Sequence, residues 1–385
     1  MFTANIRYND SSANIEFPCD NSYLYSKLME MRVSEQTYQD LKLFVKKIDY
    51  DALSCLEDNF VDLGELNFLA QRLDSFSYQE VVKFNAVVKE FGIKTMPEFI
   101  NLTYNMHYYT LLQDLSSAEK IGKTYMLTRN GGMSEKEILE TDFEKIGKQL
   151  IESGRGRLTE HGLLFVNDDL PYDHEYNGVT LPCFFYRDCL FTVSMGYDGK
   201  TSYVHLPDVP YAISNAVNRL GAASPMDCKV EFEQFGIENI DLQERLKAVV
   251  VNEGIYKLNE IAAAIHEISD YEELQKLTDI IEFSGREDGD TIISLAKNID
   301  EFIFYPDVAD ADALGRAIIE ENEEYHIHPD IADYFMFEQY AEEIMRECDC
   351  KFTENGAVLL KSKTLTEILR EEQSGECINR GIESM

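Results

Sequence analysis

The second half of this chain repeats the first at an offset of about 190 residues. Phe191-Thr192-Val193 repeats Phe2-Thr3-Ala4, Tyr197-Asp198 repeats Tyr8-Asn9, and Leu206-Pro207 repeats Phe17-Pro18. Ile213, Val217 and Leu220 follow the spacing of Leu24, Leu28 and Met31, and Ile237 is read against Ile48. Further on, Leu258-Asn259 matches Leu66-Asn67, Leu314-Gly315-Arg316 matches Ile121-Gly122-Lys123, and Phe337-Glu338 matches Phe143-Glu144. Finally, Phe352-Thr353-Glu354-Asn355-Gly356 matches Leu158-Thr159-Glu160-His161-Gly162. The offset drifts from 189 to 194, as small loop insertions would make it. A period this long is a duplicated module rather than a solenoid repeat, so whatever fold the first half specifies must be built twice.

The pattern within one repeat predicts an α+β fold. Phe2, Ala4 and Ile6 alternate as a strand over 2–7. Asn9-Asp10-Ser11-Ser12 is a turn, and 14–17 is a returning strand. Leu24, Leu28 and Met31 mark a helix, and 39–49 reads as a third strand. From Asp62 the period becomes helical, through Leu66, Leu69, Ala70 and Leu73, then through Tyr78 to Phe91, then from Pro97 to Leu102. Residues 117–128 and 135–151 predict two more helices, and 157–166 a hairpin. The predicted organisation is a first module over 1–167, divided near 60 and 116, and a connector over 168–189. A second module covers 190–361, divided near 250 and 308, and a charged helix and tail occupy 362–385. Each module is a small antiparallel sheet with a helix, a helical bundle, and a second small sheet with helices.

Charge separates the two repeats. The chain has 71 acids against 35 bases, a net charge of -36, yet is 44% hydrophobic. That is not the composition of a disordered acidic protein, so the charge must lie on folded surfaces. Between Glu119 and Gly162 eight acids are balanced by eight bases; over Asp300 to Gly356 three bases, Arg316, Arg346 and Lys351, meet seventeen acids. The candidate partner-binding carboxylates are Asp300, Glu301, Asp307, Asp310, Asp312, Glu320, Glu321, Glu323, Glu324, Asp330, Asp333, Glu338, Glu342 and Glu343. Apolar residues at helical spacing run among them, and the cluster Tyr334, Phe335, Phe337 and Tyr340 is the candidate contact between modules. A surface of this sign calls for a basic partner, such as a protein that itself binds nucleic acid. It argues against direct nucleic-acid binding, since no basic, aromatic-interleaved run offsets it.

Signals for other chemistry are thin. There is no phosphate-binding glycine loop and no nucleophile elbow, so no enzyme, cofactor or catalytic residue is predicted. The eight cysteines are scattered without metal-site spacing. His326-Ile327-His328-Pro329-Asp330 reads as a loop rather than a metal site, and Asp288-Gly289-Asp290 as a tight turn. Gly154-Arg155-Gly156-Arg157 reads as a basic turn. His161, replaced by Asn355 in the second repeat, reads as a left-handed turn position. With no secretory leader and no membrane-length apolar run, the expected compartment is the cytoplasm.

The chain resembles the ArdA antirestriction family. The resemblance is carried by Asp312-Ala-Leu-Gly-Arg316-Ala-Ile-Ile-Glu-Glu321, by Ile331 to Ile344 and by Phe352-Thr-Glu-Asn-Gly356. In the first repeat it runs through Leu63-Gly-Glu-Leu-Asn67, Asp142 to Leu150 and Thr159-Glu-His-Gly162. It implies an elongated protein of three small domains per module that imitates bent DNA and blocks type I restriction–modification enzymes. Family members are single modules that dimerise, so a two-module chain is similar to a covalently linked pseudo-dimer, with further homodimerisation open. The competing expectation is an acidic regulatory module of a mobile element that binds another basic DNA-binding protein.

Overall fold

The computed structural model describes residues 1–33, 42–268, 271–322, 327–328 and 334–370. The chain divides into two compact units. One comprises Met1–Asp188, Met195–Tyr203 and Ser214–Cys228; the other comprises Cys189–Ser194, Val204–Ile213 and Lys229–Met385. The fold is mixed α+β, with four small sheets.

In the first repeat β1 (Phe2–Tyr8), β2 (Ser11–Phe17), β3 (Lys42–Ile48) and β4 (Asn59–Asp62) form an antiparallel sheet in the order β2-β1-β3-β4. Phe2, Ala4, Ile6, Ile15, Phe17, Leu43, Val45 and Ile48 are buried on one face, against Leu24 and Leu28 of α1 (Asn21–Glu30). The first part of the predicted third strand, 39–41, lies outside the described residues. The helical bundle is α2 (Leu63–Asp74), α3 (Tyr78–Phe91) and α4 (Met96–Tyr104). The first two starts are capped by side chains: Asp62 accepts from the Gly64 and Glu65 amides, and Ser77 and Glu80 form a capping box.

A second antiparallel sheet has the order β5-β7-β6, from β5 (Tyr109–Leu112), β6 (Arg157–Thr159) and β7 (Gly162–Val166). Helices α5 (Ala118–Arg129), α6 (Glu135–Glu140) and α7 (Phe143–Ser153) lie between β5 and β6 in the chain. The single helix expected over 135–151 is thus two. Asp142 accepts from the Lys145 amide, starting a new helix, while Thr141 is extended. The His161 expectation also fails: neither His161 nor Asn355 has a positive φ, and Gly162 takes that conformation instead.

The second repeat rebuilds this plan. Strands β8 (Phe191–Tyr197), β9 (Lys200–Leu206) and β10 (Lys229–Phe235) form a sheet in the order β10-β8-β9, with α8 (Pro210–Leu220). Since β10 ends at Phe235, that residue rather than Ile237 takes the place of Ile48 at the strand end. After β10 the repeats diverge. Where the first has a 3-10 turn and β4, the second has a helix, α9 (Ile240–Glu253). Helices α10 (Ile255–His266), α11 (Tyr271–Gln275), α12 (Leu277–Ser284) and α13 (Gly289–Lys297) follow. Then come β11 (Phe302–Pro306), α14 (Ala311–Glu321), α15 (Phe337–Glu347), β12 (Cys350–Phe352) and β13 (Gly356–Leu360), with sheet order β11-β13-β12.

Two devices recur at matching positions. The Asn67 side chain accepts from the Cys19 amide and donates to its carbonyl, both at 2.9 Å. Asn259 does the same for Asp208, at 2.9 and 2.7 Å. Each asparagine ties the segment after β2 or β9 to a helix of its bundle, α2 or α10. The other device is close helix packing. A Cβ on Gly122 would lie 2.0 Å from the Phe143 carbonyl oxygen, and one on Gly315 would lie 2.2 Å from that of Phe337. Only glycine fits at either crossing.

The 168–189 segment lies along the first unit. Tyr176 is buried there. Its amide donates to Asn101 and its hydroxyl to Glu65, while Asn105 both donates to the Asp173 carbonyl and accepts from its amide. Residues 365–370 are helical; the rest of the predicted C-terminal helix lies outside the described residues. The described cysteines are free thiols, and no described helix is long and apolar enough to cross a membrane.

Candidate functional site

Helices α14 and α15 position the acidic side chains. Leu314, Gly315 and Ile319 are the buried face of α14, and Phe337 and Ala341 that of α15. Leu314 and Ala341 join Val308, Ala357 and Leu359 in one apolar core cluster of the β11–β13 subdomain. Burying these stripes turns the other faces outward. On α14, Asp312, Arg316 and Glu320 recur every four residues and all are exposed. On α15, Glu338, Glu342, Glu343 and Glu347 are exposed in the same way.

The bases compensate for little of this. Arg316 donates to Asp312 at 2.7 Å, with its guanidinium 4.2 Å over the Phe337 ring. Arg346 meets Glu342 at 3.3 Å, and Lys351 donates to the Glu282 carbonyl at 2.6 Å. Exposed pairs of this kind contribute at most about 1 kcal/mol each. Glu320, Glu338 and Glu343 make no ion pair with a described residue.

Other candidate acids do local structural work as well. Asp310 caps α14 by accepting from the Ala313 amide at 2.9 Å. Glu321 accepts from the Tyr305 hydroxyl, whose pKa is pushed up chiefly by burial and then by that bond. Glu301 accepts from Ser362 at 2.8 Å, and Asp307 is exposed at a positive φ in the loop before α14. Asp300 is exposed in the turn before β11. Glu323, Glu324, Asp330 and Asp333, together with His326, lie outside the described residues; His328 is exposed.

The aromatic cluster divides. Phe337 is buried in the core, with Tyr340 half-buried beside it. Tyr334 and Phe335 precede α15 rather than continuing a helix into it. Tyr334 is 85% exposed and Met336 57%, while Phe335 packs 4.7 Å from the Phe337 ring. The apolar spacing from Tyr334 to Tyr340 suggested one helix; the helix starts only at Phe337.

The matching face of the first repeat has the same backbone and a different charge. Lys145, Lys148 and Gln149 stand on α7 where Gln339, Glu342 and Glu343 stand on α15. Leu127 and Thr128 of α5 stand where α14 has Glu320 and Glu321. Some of its acids are answered locally, Glu144 by Lys148 at 2.6 Å and Asp114 by Lys120 at 2.8 Å. The basic turn at Gly154 to Arg157 borders an open cleft of about 390 Å³ lined by Arg129, Arg155, Gln149, Tyr125 and Asp169. Arg129 is already paired with Asp169 there.

One surface escaped the linear reading. Arg7, Phe44 and Phe60 come from three separate strands, and nothing in the local spacing of any of them signals a site. They meet in one row on the open face of the first sheet.

Residues 200–359 match the family described as the antirestriction protein ArdA, from the start of β9 to β13. No curated protein matches the chain.

Proposed function

We propose that this chain, whose residues 200–359 match the ArdA antirestriction family, inhibits type I restriction–modification enzymes by occupying their DNA-binding groove. The supporting observation is the contrast between matching subdomains. One backbone plan carries near-balanced charge on α5 and α7, but an almost unrelieved row of carboxylates on α14 and α15. Packing does not require those carboxylates, because the first repeat packs without them.

B-DNA carries one charge per about 1.7 Å of axis, so a net charge of -36 matches about 60 Å of duplex. Carboxylates held on packed helices can meet the lysines and arginines that otherwise hold phosphates, displacing the same counterions. No base edge is presented, so inhibition is independent of the target's recognition sequence. No catalysis by this chain is involved.

The test is titration of a purified type I methyltransferase core with the chain. The expected result is stoichiometric binding that competes with DNA and weakens steeply with salt. Absence of binding at low salt overturns the reading. Capture of a different basic DNA-binding protein from host lysate, lost on adding DNA, would favour the regulatory module instead.

A further inference from the structure

The sheet β2-β1-β3-β4 buries one face and leaves the other open. On the open face Arg7 of β1 pairs with Phe44 of β3, and Phe44 pairs with Phe60 of β4. The Phe44 and Phe60 rings meet edge to face at 5.5 Å, and the Arg7 guanidinium lies 4.3 Å over Phe44. Phe60 is 68% exposed. A phenylalanine this open on a strand contributes little to its own fold, since burial is where its apolar area stabilises. Lys42, Lys46 and Lys47 of β3 are exposed around this row, and neither they nor Arg7 form an ion pair with a described residue. The nearest acid in register, Asp62 opposite Lys42, is taken up by the Gly64 and Glu65 amides and by Arg219.

The second repeat supplies the control. Its strand positions matching Arg7 and Phe44 hold Gly196 and Glu231, and it has no counterpart of β4. The inward positions are kept: Val230, Phe232 and Phe235 replace Leu43, Val45 and Ile48. So the fold requires the inner face, and the cation–aromatic row belongs to the first repeat alone.

We propose that this open face is a platform for single-stranded nucleic acid. One base stacks on Phe60 and a second on the outer plane of the Arg7 guanidinium, while Lys42, Lys46 and Lys47 meet the intervening phosphates. Aromatic rings and arginine planes on a sheet face offer stacking that every base accepts and that a duplex, with its bases already stacked, cannot use. The net charge of the chain speaks against nucleic acid, and Lys42, Phe44, Lys46 and Lys47 form a local basic, aromatic-interleaved exception to it. The screening length at physiological salt is about 8 Å, so groups within the row decide local binding. The platform is independent of the acidic helices.

The experiment is fluorescence anisotropy with the full chain and labelled strands of about 12 nucleotides, oligo-dT and oligo-U, beside a duplex of equal length. The expected result is micromolar binding of a single strand, at least about tenfold tighter than duplex. Phe60→Ala should weaken it about tenfold, Phe60→Tyr should retain it, and the double change Lys46→Glu with Lys47→Glu should weaken it and flatten its salt dependence. Circular dichroism checks that each variant is folded. Preference between the two strands identifies DNA or RNA as the ligand. No binding up to about 100 µM, equal binding of duplex, or indifference to both Phe60→Ala and the lysine pair overturns the proposal. Inhibition of the restriction enzyme should be unchanged in Phe60→Ala, so the two proposals fail separately.

Discussion

The β5–β7 and β11–β13 subdomains share strand order, helix placement and a glycine at the first helix crossing, yet differ in net charge by eleven, from -1 to -12. Folding constrains the buried stripe of a helix and leaves its outer face free. Where two copies keep the stripe and part company outside, the outer face is where their functions differ. The first sheets teach the same lesson with opposite sign, since there the first repeat carries the added cations and rings.

The comparison can be broken most decisively by reversing charge. Replacing Glu320, Glu338, Glu342 and Glu343 by lysine should weaken binding to a methyltransferase core about 1000-fold, at about 1 kcal/mol per reversed residue. Reversing Glu119, Glu135, Glu144 and Glu152 of the first repeat should change it less than about threefold. Calorimetric titration of both sets decides, and equal losses would erase the proposed asymmetry.

The asparagine ties test whether the repeats share one construction. Asn67→Ala leaves the buried Cys19 amide and carbonyl without partners and should cost about 2–3 kcal/mol in urea unfolding. Asn259→Ala should cost somewhat less, because the Asp208 backbone is only partly buried.

Helix crossing sharpens the contrast further. A Cβ on Gly147 would lie 1.8 Å from the Ala118 carbonyl oxygen, while the second repeat holds Ala341 at the matching position. Gly147→Ala should therefore cost about 1–3 kcal/mol. Ala341→Gly should cost about 1 kcal/mol, the ordinary penalty of a helix glycine. Thermal melts distinguish them.

The smallest effect is one of pH. Burial raises the Glu65 carboxyl above its ordinary 4.5, against the opposing bond from Tyr176. From pH 4.5 up to its folded pKa the native chain then binds more protons than the unfolded one, so stability falls as pH rises through that window. Glu65→Gln keeps an acceptor for Tyr176 and should remove this fall, which urea titrations between pH 4.5 and 7 would show. An unchanged pH profile would mean that Glu65 is solvated in the native state.

Much of the fold was legible in the chain because it depends on local period. Phe2, Ala4 and Ile6 announce β1, Leu66, Leu69, Ala70 and Leu73 announce α2, and the repeated Leu-Asn pairs locate equivalent helices. Errors came where one or two residues override a period. Asp142 captures an amide and splits a helix, and Tyr334 and Phe335 continue the apolar spacing of α15 without joining it. The helix α9 has no counterpart in the first repeat, so reading one copy against the other gave no warning of it. At the acidic site, exposure of Glu320, Glu338, Glu342 and Glu343 could be anticipated from the stripes they oppose. The structural duties of Asp310, Glu301 and Glu321 depend on partners distant in sequence or on backbone turns.

The sequence by itself determined the duplication, the α+β character and the acidity confined to one copy, since periodicity and charge are properties of neighbours along the chain. Tertiary structure decided which side chains become neighbours across strands. It placed Arg7, Phe44 and Phe60 in one row, sent Tyr176 into the first unit's core and put Asn67 against Cys19. Strand register and helix docking are set by the burial of many residues at once, and no single stretch of sequence contains that information.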